Sequence, residues 1–102
     1  MRYYIYILHS INFDKYYIGY TSNYNKRLLA HNEGKYNTFT SKYRPWCINA
    51  IFHVSEKKSE ALKIERFIKN QKSRILLQKL CNKNFTPNGV LTQLVRVPHV
   101  RD

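Results

Sequence analysis

The side chains of this sequence best suited to chemistry are a set of tyrosines, an arginine–histidine pair and one glutamate. Six of the nine tyrosines fall in two short stretches, Tyr3-Tyr4-Ile5-Tyr6 and Tyr16-Tyr17-Ile18-Gly19-Tyr20. A buried tyrosine hydroxyl must find a hydrogen-bond partner, so a core strand built from tyrosine points to hydroxyls that are used. The plainer alternative is that tyrosine is a good strand residue with a solvated tip. Arg27 and His31 are four residues apart and share one ridge of a helix, unless that ridge is only an exposed basic face. Glu65 follows Ala61 and Ile64 and precedes Phe67 and Ile68. At ~100° per residue it falls inside the edge of that apolar stripe, where an acid is costly unless paired or bound to a metal. The alternative there is an i,i+4 pair with Lys69, worth ~0.3–0.5 kcal/mol. The other acids, Asp14, Glu33, Glu56, Glu60 and Asp102, fall in loops or on polar faces. Glu65 is therefore the candidate ligand for a hard metal. A single carboxylate suits Mg²⁺ (or Mn²⁺), which keeps several waters and takes phosphate oxygens as further ligands.

These groups need elements to hold them. Residues 2–8 and 15–20 are aromatic and β-branched and read as strands. The turn formers at 9–14 join them as an antiparallel hairpin. Alternation puts Tyr4, Tyr6 and Leu8 on one face with Tyr17 and Gly19, and Tyr3, Ile5 and Ile7 on the other with Tyr16, Ile18 and Tyr20. Thr21 or Ser22 can cap a helix over about 23–33, with Gly34 as its stop and Asn23 extending the Arg27–His31 ridge. A polar loop is expected at 35–45 and a third strand at 46–54. A second helix opens at Ser55 or Ser59 and reaches about Gln71, and a third covers 74–82. The order β-β-α-β-α-α makes an α+β domain, a three-stranded antiparallel sheet flanked by helices. The domain is expected over 1–84. Residues 85–102 are a tail with strand-like letters, a proline at position 98 and no evident partner, so a chain ending near Asn84 is expected to suffice.

The chain has 102 residues, room for one domain. Its 18 Lys and Arg against six Asp and Glu give +12, spread from Arg2 to Arg101. So charged a compact body calls for a polyanionic partner, of which nucleic acid is the commonest. Cys47 and Cys81 form no CxxC and offer no zinc site. They read as buried thiols in a reducing compartment. The N-terminal apolar run is too short for a signal peptide or a membrane span, so a cytoplasmic protein without a membrane partner is expected.

Taken in order, the pieces resemble the GIY-YIG nuclease family. Tyr4-Ile5-Tyr6 stands where the family has Gly-Ile-Tyr, and Tyr17-Ile18-Gly19 is a full match to the second signature. Arg27 and His31 follow in Asn25-Lys26-Arg27-Leu28-Leu29-Ala30-His31-Asn32, and Glu65 ends Ala61-Leu62-Lys63-Ile64-Glu65. The resemblance covers about residues 2–82 and looks like the short standalone branch, with no DNA-reading domain attached. The one departure is Tyr4 in place of the first glycine, which is not a catalytic group in the family.

The resemblance implies a metal-dependent endonuclease acting on nucleic acid, with DNA the expected polymer and no small-molecule cofactor. The alternative is a non-catalytic basic nucleic-acid-binding protein of the same fold, and a basic structural protein, such as a ribosome-associated one, is a third. By resemblance, Tyr17 activates the attacking water and Tyr6 orients or backs it. Arg27 stabilises charge on the phosphate, and His31 assists proton transfer or contacts phosphate. Glu65 is the sole protein ligand of the metal. A tyrosine of pKa ~10 is a poor base in water. Mg²⁺, Arg27 and Lys15 or Lys26 nearby would favour its phenolate. The cations expected to hold nucleic acid are Lys26, Arg27, Lys35, Lys42, Arg44 and Lys69. Oligomeric state is left open.

Overall fold

The computed structural model describes residues 1–34 and 38–98. Strands β1 (Tyr3–Ser10) and β2 (Lys15–Thr21) form the hairpin. Helix α1 (Tyr24–Glu33) and a short helix α2 (Phe39–Lys42) lead to β3 (Cys47–Ser55). Helices α3 (Lys58–Asn70) and α4 (Arg74–Cys81), a 3-10 turn (Gly89–Gln93) and β4 (Val95–Arg96) complete the chain. The sheet runs β2-β1-β3-β4, and every pair is antiparallel.

The α+β class stands, but the sheet has four strands and not three. Val95 and Arg96 pair with His53 and Phe52, and the Val97 N–H donates to the Ile51 carbonyl at 2.8 Å. The tail thus has the partner its letters did not reveal, because that partner lies about forty residues back. Leu91 and Leu94 are buried in the same core as Ile64 and Leu80. Within the expected loop, α2 forms because Ser41 folds back on Thr38. Its hydroxyl donates to the Thr38 carbonyl (2.7 Å) and accepts from the Thr38 N–H (3.0 Å).

Both expected helix starts shift slightly. Asn23, not Thr21 or Ser22, caps α1 by accepting from the Lys26 N–H at 3.1 Å, so it closes the helix end rather than extending a ridge. Lys57 occupies the cap position of α3, while Ser55 accepts from the Lys57 N–H. The two thiols are free and half-buried rather than buried. Burial pushes Cys81 up to about 11.

Strand alternation divides the interior in two. Ile5, Ile7, Ile18, Ala50, Phe52 and Val54 face α3, α4 and the tail. Tyr6, Leu8 and Trp46 face the other way, with Tyr17, Leu28, Tyr43 and Ile48 packed against them. Helices therefore cover both faces, and the tyrosine face lies under α1 and α2. Among the described residues, no helix is long and apolar enough to cross a membrane.

Candidate active site

The hairpin register sets Tyr6 opposite Gly19 and Leu8 opposite Tyr17. A side chain on Gly19 would put its Cβ 2.6 Å from Tyr6 Cζ. Glycine is needed there because the Tyr6 ring lies across the neighbouring strand at that point. Tyr6 is fully buried, so its hydroxyl must be paired within the protein. It lies 2.9 Å from His31 Nε2, and the Arg27 guanidinium beside it pulls its pKa down. His31 Nδ1 continues to Thr40 Oγ1 at 3.0 Å, and Thr40 Oγ1 to Thr38 Oγ1 at 3.1 Å.

The arginine at the outer end of this chain is exposed, while Tyr6, His31 and Thr40 are all buried. Burial pushes Tyr6 up to about 12, against the opposing pull of Arg27. Burial also drives His31 down to about 4, with Arg27 and Arg44 beside it adding to the fall. At neutral pH the pair is therefore a phenol and a neutral imidazole. A neutral imidazole has one donor and one acceptor nitrogen. Proton order then runs either from Tyr6 to Nε2 and Nδ1 to Thr40, or the reverse. In both senses His31 holds the tyrosine in place.

Tyr17 sits beside this chain in a different setting. Its ring centroid is 4.8 Å from His31 and 6.4 Å from Tyr6. It is half-buried and lines a cleft of about 450 Å³ together with Arg27, His31, Phe39, Thr40 and Arg44. Glu65 approaches from α3, on the opposite face of the sheet. The approach is possible because β2 is an edge strand. Lys69 Nζ lies 3.0 Å from Glu65 Oε1 and 5.8 Å from the Tyr17 ring centre, joining the carboxylate to the tyrosine. Glu65 is 7% exposed, and its charge acts on Tyr6. The ion pair with Lys69 and the position in the apolar stripe are thus both present.

Among the described residues, no group of three or more His, Cys, Asp and Glu comes together. The donor set fits a hard cation held by one carboxylate, with water and phosphate completing the shell.

The cations expected to hold nucleic acid are placed as follows. Lys26 is exposed on α1 and Lys42 on α2. Arg44 lines the cleft, but its guanidinium donates to the carbonyls of His31 (2.7 Å) and Gly34 (2.6 Å), closing the end of α1. Lys69 is half-exposed on Glu65. Lys35 lies outside the described residues. Of the lysines expected near the catalytic tyrosine, Lys26 is exposed on α1 and Lys15 has its Nζ 5.5 Å from the Tyr43 ring centre; the lysine over Tyr17 is instead Lys69.

Sequence reasoning did not find Thr40 or Asn32. Asn32 grips the Trp46 backbone at both ends, accepting from its N–H (2.7 Å) and donating to its carbonyl (3.0 Å). The Trp46 indole N–H in turn donates to the Thr40 carbonyl at 2.7 Å. A threonine in a polar loop and an asparagine on a helix carry no periodic signal, so only the folded chain reveals them. A family model described as the GIY-YIG catalytic domain matches residues 2–80. No curated protein matches the chain.

Proposed function

We propose that this chain, which belongs to the GIY-YIG family of nucleases, is a divalent-metal-dependent endonuclease that hydrolyses phosphodiester bonds in DNA. The observation that carries the reading is the buried run Tyr6–His31–Thr40, with the exposed Arg27 beside Tyr6 at its outer end, next to the open cleft that Tyr17 lines. A fully satisfied buried polar network of this kind rigidifies what it holds. What it holds here is a guanidinium and a second tyrosine facing solvent.

The two tyrosines divide the work. Tyr6 stays protonated and positions its neighbours. Tyr17 faces the cleft and takes the proton from the water whose oxygen attacks phosphorus. The new P–O bond forms as the bond to the leaving sugar oxygen breaks, and that oxygen takes a proton from solvent. Arg27 is anchored at Tyr6 and reaches the cleft, where its charge opposes the negative charge gathering on the phosphoryl oxygens. Glu65 is the residue to hold the cation, which when bound supplies Lewis-acid stabilisation of those oxygens. His31, neutral with both ring nitrogens engaged inside the protein, acts as a positioning residue and not as a phosphate-binding cation.

The test is Glu65→Gln. It removes the carboxylate charge and keeps the shape. Cleavage of labelled DNA in Mg²⁺ or Mn²⁺ is expected to vanish, while binding measured in EDTA survives or strengthens slightly in the +12 field. Cleavage near the wild-type rate would sink the metal assignment. A wild-type chain that binds but never cuts in either ion identifies a binding protein of the same fold.

A further inference from the structure

The cleft has one wall that the hydrolytic groups do not use. Phe39, the first residue of α2, lines it and is 48% exposed. Its ring lies 6.4 Å from Tyr17 at an interplanar angle of 26°, and 5.0 Å from Tyr43. Phe13, 49% exposed on the hairpin turn, meets Tyr43 edge-on at 5.4 Å. An exposed aromatic patch beside a charged cleft marks a binding surface rather than a packing remnant. We propose that Phe39, extended by Tyr43 and Phe13, is a stacking shelf for an unpaired nucleobase of the strand being cut. The proposal rests on the nuclease reading above and narrows its substrate to DNA with single-stranded character next to the scissile phosphate.

Three observations support this occupant. The shelf is prebuilt. Thr40, its neighbour on α2, is locked by His31 and by the Trp46 indole through Thr40's own carbonyl, so little ordering cost falls on binding. Cations flank the rings, with Lys15 Nζ 5.5 Å from the Tyr43 ring centre and Lys42 exposed at the end of α2. Basic side chains interleaved with aromatic faces are the pattern that holds single strands, since every base offers a π-face. Finally, the shelf adjoins Tyr17 within the same cleft, so a base on Phe39 belongs to a nucleotide near the attacked phosphate. In an intact duplex the bases are already stacked on one another, and the shelf finds none to take.

The experiment measures affinity in EDTA, by fluorescence anisotropy, for a single-stranded oligonucleotide and for a blunt duplex of the same sequence. The full chain is compared with F39A, F39L and F39W. F39A is expected to weaken single-strand binding by about 5- to 100-fold while duplex binding moves less than about twofold, since base–aromatic stacking supplies the former and phosphate contacts the latter. F39L keeps apolar bulk without a π-face and is expected to fall with F39A. F39W is expected to match or exceed the wild type. Equal losses on both probes, or F39L behaving as wild type, would mean that Phe39 only packs Tyr17 and Trp46, and would overturn the shelf. Should F39A fail to fold, the contrast between F39L and F39W carries the test. Because no cleavage is involved, a chain that cuts DNA but shows no Phe39 effect sinks the shelf alone. A chain that binds single strands through Phe39 and never cuts sinks the nuclease reading alone.

Discussion

Tyr6 and Tyr17 carry the same hydroxyl on adjacent strands, and burial gives them different uses. Tyr6 is sealed and shifted to about 12, so it holds its proton at neutral pH. Tyr17 opens to the cleft. Tyr17→Phe keeps the ring and removes the hydroxyl proposed to take the proton. We expect cleavage to fall ~10²-fold or more, the scale of a lost general base, with the melting temperature almost unchanged. A joint fall of activity and stability would make Tyr17 a packing residue. His31 gives a pH signature. Its folded pKa is about 4 against 6.5 for the free group. The unfolded chain therefore binds the extra proton between those values, so stability is complete above pH 6.5 and falls as pH drops toward 4. The full loss is about 3 kcal/mol. Urea midpoints at pH 7, 5 and 4 should show it in the wild type, and the drop should shrink in His31→Gln. Identical profiles in the two proteins would remove His31 from the buried chain.

At the level of elements, register and edges decide the site. A one-residue slip of β2 would send Tyr17 and Gly19 to the α3 side, and the ring of Tyr6 would lose the gap it lies in. The free edge of β2 lets Glu65 and Lys69 reach a tyrosine on the far face. At the other edge, β4 and the 3-10 turn close the core. The Arg96 guanidinium donates to the Leu80 carbonyl at 3.0 Å, tying the tail to the end of α4. The tail, which the sequence leads one to expect is dispensable, packs Leu91 and Leu94 into the core, and the strength of that packing is what a truncation measures. Leu91→Ala with Leu94→Ala should cost ~4 kcal/mol or more, given 2–5 kcal/mol for each buried leucine. Calorimetry checks this. A chain ending at Asn84 that melts with the full-length protein would return the tail to the role first expected.

Across the whole molecule, +12 on 102 residues is a field rather than a site. Such a field steers polyanions and strengthens binding without selecting a sequence. Affinity for DNA should therefore fall steeply between about 50 and 200 mM salt as counterions are released. A titration flat over that range would argue against a surface that tracks phosphates.

The sequence alone determined the parts that depend on local periodicity and on side-chain chemistry. Period-two alternation put Tyr6, Tyr17 and Gly19 on one face. Helical spacing aligned Arg27 with His31 and put Glu65 inside an apolar stripe, where the structure buries it. Net charge indicated the class of partner. Tertiary structure decided what depends on residues distant in the chain. It sealed Tyr6 and opened Tyr17, drew Thr40 onto His31 and Trp46 onto Thr40, and set Lys69 against both Glu65 and Tyr17. It also gave the tail a place beside β3. The physical reason is that burial and pairing are properties of what surrounds a group, and those surroundings come from segments whose separation along the chain leaves no periodic trace.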